Sequence, residues 1–82
     1  MTSPVIQTSE NALPTILHFV VRLTVHHISK FNYLLTLVFP YHAPVTVRLT
    51  DNVGTWLIFS SSGHLLSFLG QHGLHSLEVR HD

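Results

Sequence analysis

Residues 17–26, Leu-His-Phe-Val-Val-Arg-Leu-Thr-Val-His, decide how the chain is read, because a period of two puts Leu17, Phe19, Val21, Leu23 and Val25 on one face. His18, Arg22, Thr24 and His26 fall opposite, together with Val20. A helix over the same stretch would scatter Phe19, Val20, Val21 and Leu23 around its cylinder and crowd the β-branched side chains. A strand is therefore expected here.

Moving outward, Ile28 to Asn32 interrupts the alternation, and Tyr33, Leu35, Leu37 and Phe39 restart it on a new apolar face. Two strands joined by five residues predict a hairpin. Pro40 and Pro44 bracket a second connection, after which Val45, Val47 and Leu49 alternate with Thr46, Arg48 and Thr50 in a short third strand. Asp51, Asn52, Val53 and Gly54 have the layout of a type I turn, which should reverse the chain into a fourth strand over Thr55 to Ser60. The serines at 60, 61 and 62 then offer a hydroxyl cap for a helix starting near His64, with Leu65, Phe68, Leu69 and His72 on one face. Gly70 weakens that helix by about 1 kcal/mol and Gly73 is placed to end it. A last strand, with Leu77 and Val79 opposite Glu78 and Arg80, spans Leu74 to Arg80. Upstream, Met1 to Leu13 is polar and without period, so residues 1–14 are expected to be a flexible arm and 15–82 one small domain. The fold class expected is α+β: a small, mostly antiparallel sheet of about five strands with one short helix before the last strand.

A chain of 82 residues falls below the usual domain size of about 100 to 150, so it has room for one core only. Hydrophobic residues make up 45%, but charged ones only 10%, against about 25% in ordinary soluble domains. Four Lys and Arg balance four Asp and Glu, which leaves no basic surplus to hold a phosphate backbone, so no nucleic-acid partner is expected. The most apolar window, Ala12 to Lys30, carries Arg22 at its centre with His18, His26 and His27, which makes a poor membrane span. The first basic residue is Arg22 and no basic leader precedes it, so neither a secretory signal nor a mitochondrial presequence is seen, and a cytoplasmic location is the default expectation. Without cysteine there are no disulfides, thiolate zinc sites or cysteine nucleophiles.

Eight histidines are the one real excess. His64, His72, His75 and His81 cluster near the end of the sequence, but His72 and His75 stand three apart with no acid between them, unlike a zinc-binding helix. His26 and His27 are adjacent and would point to opposite faces of a strand. No metal site and no cofactor are expected, and the histidines are read as surface residues. Catalysis is equally unsupported, because Glu10, Asp51, Glu78 and Asp82 fall in an arm, a turn, an exposed strand face and the last position, and the serines before His64 are better explained as a helix cap. Gly63, Gly70 and Gly73 have no phosphate-cradle spacing.

Apolar and aromatic surface is what remains. Trp56, Leu57, Phe59, Tyr33 and Tyr41 are of the types that anchor interfaces, and one helix cannot bury the surplus at Val20, Leu34, Val38 and Leu57. The expected function is a non-catalytic protein-protein interaction module, binding a protein partner or a second copy of itself through an uncovered sheet face or edge. A small membrane-associated protein and a histidine-based metal-binding protein are the alternatives.

Overall fold

The computed structural model describes residues 5–74 and 78–81. Five strands form one sheet: β1 (Val5–Ser9), β2 (Arg22–Ser29), β3 (Asn32–Phe39), β4 (His42–Thr50) and β5 (Glu78–His81), in the order β1-β4-β3-β2-β5. The described residues also include two α-helices, α1 (Leu13–Leu17) after a 3-10 turn at Glu10–Ala12, and α2 (Ser62–Gln71).

The α+β class holds, but the sheet is mixed where the sequence pattern predicts a mostly antiparallel one, and there are two helices instead of one. β2, β3 and β4 form the expected antiparallel meander, while β1 pairs parallel with β4 and β5 parallel with β2. Each parallel edge strand is reached by a crossover carrying a helix, α1 between β1 and β2 and α2 between β4 and β5. Both crossovers travel in the same direction along the strand order, so the right-handed rule puts both helices on the same side of the sheet. The core agrees: Leu13 and Leu17 of α1 and Leu65 and Leu69 of α2 are buried with Leu23, Val25, Tyr33, Leu35, Leu37, Val47 and Leu49, all odd-numbered sheet positions. The even-numbered face is left uncovered.

The stretch around Leu17 is the main departure from the sequence pattern. Pro14 falls in the first turn of α1, where its fixed φ suits a helix, and Leu13 and Leu17, one helical repeat apart, turn inward together. Leu17 thus ends a helix instead of opening a strand; Val20 is buried at 2% exposure, Phe19 and Val21 point outward, and the strand starts only at Arg22. The stretch expected to be an arm contains β1, whose Ile6 and Thr8 lie beside Val47 and Leu49 of β4. Residues 55–59 do not form a regular strand. They run extended, with one antiparallel bridge from Trp56 to Thr50, Leu57 N–H donating to the Leu49 carbonyl at 3.0 Å, and Phe59 N–H donating to the Phe31 carbonyl at 3.0 Å.

α2 begins and ends as its sequence directs. Ser61 stands at the N-cap and its hydroxyl accepts from His64 N–H at 3.2 Å. At the other end Gly73 adopts φ +107°, and Leu74 N–H reaches back to the Leu69 carbonyl at 2.9 Å, closing a Schellman motif. Of the expected last strand, Glu78–His81 pairs with β2, and residues 75–77 lie outside the described residues.

Candidate functional site

The uncovered face is built by strand alternation and pairing. On β2 it presents Arg22, Thr24 and His26; on β3 Leu34, Thr36 and Val38; on β4 Thr46 and Arg48, while Thr50, which bridges to Trp56, is buried. The parallel register sets Glu78 beside Arg22 and Arg80 beside Thr24, and on the opposite edge Gln7 beside Arg48. All three arginines of the chain therefore share one face.

They are held differently. Arg22 Nε donates to Glu78 Oε2 at 3.1 Å and Arg80 Nε to Glu78 Oε1 at 2.7 Å, so a single carboxylate serves two guanidinium groups. The hydrogen bonds from Arg80 and then Arg22 hold the Glu78 carboxyl below the usual glutamate value. Arg48 instead lies over the Trp56 ring, its Cζ 3.6 Å from the ring centroid. Trp56 is brought there by the preceding turn: Asp51 Oδ1 accepts from Val53 N–H and Thr55 N–H, both at 2.9 Å, Gly54 supplies φ +90°, and the chain returns to bridge Trp56 against Thr50. Among the described residues neither Arg48 Nε nor Trp56 Nε1 has a hydrogen-bond partner, although both atoms are buried. Between the arginines a polar row crosses the strands, from His26 Nε2 to Thr36 Oγ1 at 2.7 Å and on to Thr46 Oγ1 at 3.3 Å.

The five residues singled out from sequence do not form one patch. Trp56 is half-buried on the uncovered face, whereas Tyr33 and Phe59 are buried in the core with ring centroids 6.4 Å apart, and Leu57 packs against the same core. Tyr41 is fully exposed at the turn between β3 and β4. There it lines an open, apolar groove of about 470 Å³ with Phe19, Phe39, Pro40, His42 and Val45. The apolar surplus is smaller than one helix would leave: Val20 is buried, and Leu34 and Val38 stay half-exposed between polar neighbours.

Sequence reasoning did not gather the arginines. Each stood on the polar side of its own alternating stretch, and only the strand order, with both edge strands parallel, turns the three polar sides to one surface. The histidines are dispersed: His27 stacks on Tyr33 at 4.7 Å, His64 meets Ser60, and His72 Nδ1 lies 2.9 Å from the Phe68 carbonyl while its Nε2 faces Glu10 at 3.8 Å. Among the described residues no three His, Asp or Glu side chains gather closely enough to hold a metal ion, and no helix is long and apolar enough to cross a membrane. Compared with protein families, curated proteins and solved structures, the chain matches none.

Proposed function

We propose that the chain is a non-catalytic protein-interaction module whose contact surface is the uncovered face of its sheet. The observation that carries this reading is the convergence of Arg22, Arg48, Arg80 and Trp56 on a face that neither helix covers. Arginine and tryptophan are the residue types most enriched among binding hot spots, and a sheet surface holds them on rigid backbone. Support for a non-catalytic role comes from how the described carboxylates are used: Asp51 ties its turn, Glu78 is shared by two arginines, and Glu10 meets His72. Ser61 is engaged as a helix cap.

A photo-crosslinking side chain placed at Thr36, in the middle of the uncovered face, tests this against the same group at exposed Ser67 on α2. A discrete protein adduct should form from Thr36 and be suppressed by excess unlabelled chain, with none from Ser67. Equal adducts from both positions, or none from Thr36, would contradict the proposal.

One further observation favours self-association at a second place. Phe19, 60% exposed, and Tyr41 present aromatic surface at the mouth of the apolar groove, the kind of patch that a second copy covers. Light scattering should then show a concentration-dependent mass that Tyr41→Lys abolishes; a constant monomer mass in the parent chain would remove this reading.

A further inference from the structure

We propose that the occupant of the uncovered face is an acidic protein segment, with Arg48 taking one of its carboxylates while the Trp56 ring holds the guanidinium in place. This rests on the reading of that face as the contact surface. The formal charge of the chain is zero, but its distribution is not even. Among the described residues the strand positions of the face carry three guanidinium groups and one carboxylate, Glu78, while Glu10 stands 3.8 Å from His72 and the Asp51 carboxylate accepts from N–H groups of the turn before Trp56. Arg22 and Arg80 share Glu78; Arg48 has no carboxylate among the described residues. A half-buried guanidinium with no counter-charge attracts an incoming carboxylate more strongly than a solvated one, and its planar fork fits that group.

Charge complementarity selects among occupants. A second copy, face to face, would set one positive excess against another. A nucleic acid would gain little, because two excess charges neutralise few phosphates and the Trp56 ring is already covered by Arg48, leaving no free stacking platform. An acidic peptide needs neither a large positive field nor a bare ring. It finds the Thr24 hydroxyl beside Arg80, next to the row formed by His26, Thr36 and Thr46.

Fluorescence anisotropy with the full 82-residue chain decides between them, using a labelled peptide alternating glutamate and serine, an oligothymidylate of equal charge, and phosphatidylcholine vesicles doped with phosphatidylserine. The peptide should bind most tightly, and less so as salt rises. Arg48→Gln should weaken it about tenfold, whereas Lys30→Gln, the same charge change at the turn between β2 and β3, should leave it within about twofold. Circular dichroism checks each fold, and should Arg48→Gln fail to fold, Arg80→Gln on the exposed edge strand should cost about threefold. Tighter binding of the oligonucleotide or the vesicles, or equal losses for the Arg48 and Lys30 variants, overturns the proposal. If no probe binds while the Thr36 adduct still forms, the acidic occupant is wrong and the contact face stands; if both fail, both fall.

Discussion

The guanidinium of Arg48 and the indole of Trp56 are stacked 3.6 Å apart, eight residues distant in sequence, and each holds the other on the open side of the sheet. A cation over an aromatic face contributes about 0.5 to 2 kcal/mol, more when desolvated, so the pair stabilises the turn that returns the chain to β4. A double-mutant cycle with Arg48→Met and Trp56→Leu should give a coupling energy of about 1 kcal/mol in urea unfolding. Additive single losses would show that the two side chains are merely adjacent.

Phe59, by contrast, belongs to the core, and Leu57 packs against it. Aspartate at either position should unfold the chain, and Phe59→Ala should cost about 3 to 5 kcal/mol, since the ring meets both Tyr33 and Phe68. The check is circular dichroism with urea titration. A folded, soluble Leu57→Asp protein would place that side chain outside the core.

Gly70 within α2 and Gly73 just past its end should respond with opposite sign. A Cβ at Gly70 meets nothing within 4 Å, so Gly70→Ala should stabilise the fold by about 1 kcal/mol through helix propensity. Gly73 sits at φ +107° with Pro14 Cα 3.5 Å from the Cβ position, so Gly73→Ala should destabilise by about 1 kcal/mol or more. Ser61→Ala should lose about 1 kcal/mol through the cap. Thermal midpoints of the three variants give the order directly.

Glu78 sets a pH dependence of known sign. Its folded-state carboxyl titrates below the usual glutamate value, because Arg80 and Arg22 hydrogen-bond the ionised form. The stability it contributes is present above that value and is lost as pH falls through the folded-state value. All three side chains are well exposed, so the effect is modest. Glu78→Gln should unfold at lower urea than the parent near neutrality, with the gap closing as pH falls through the folded-state value, and a gap that persists below it would assign the loss to packing.

Much of the fold is written in local pattern. The alternation of β3, the turn at Asp51, the cap at Ser61 and the stop at Gly73 each follow from a few adjacent residues, and the structure keeps them all. Two features are not local. Leu13 and Leu17 share a helical face that a period-two pattern beginning at Leu17 conceals, and only tertiary burial decides between them. β1 has a mixed, mostly polar sequence and becomes a strand because β4 offers it a free edge. The uncovered face was hidden for the same reason: Arg22, Arg48 and Arg80 are each legible as outward-facing, but that they share one face depends on strand order. Of the aromatic anchors, Trp56 reached that face, while Phe59 and Tyr33 were drawn into the core by the apolar surface α2 brings with it.

The most direct test of the uncovered face as the contact surface is a two-dimensional amide NMR titration of the isotope-labelled chain with the glutamate-serine peptide. Shifts should concentrate on Thr24, Thr36, Thr46, Arg48 and Gln7 and on the indole N–H of the single tryptophan, Trp56, with Ser67 and Tyr41 unmoved. Shifts centred instead on Phe19, Tyr41 and His42, or along the outer side of α2, would contradict it.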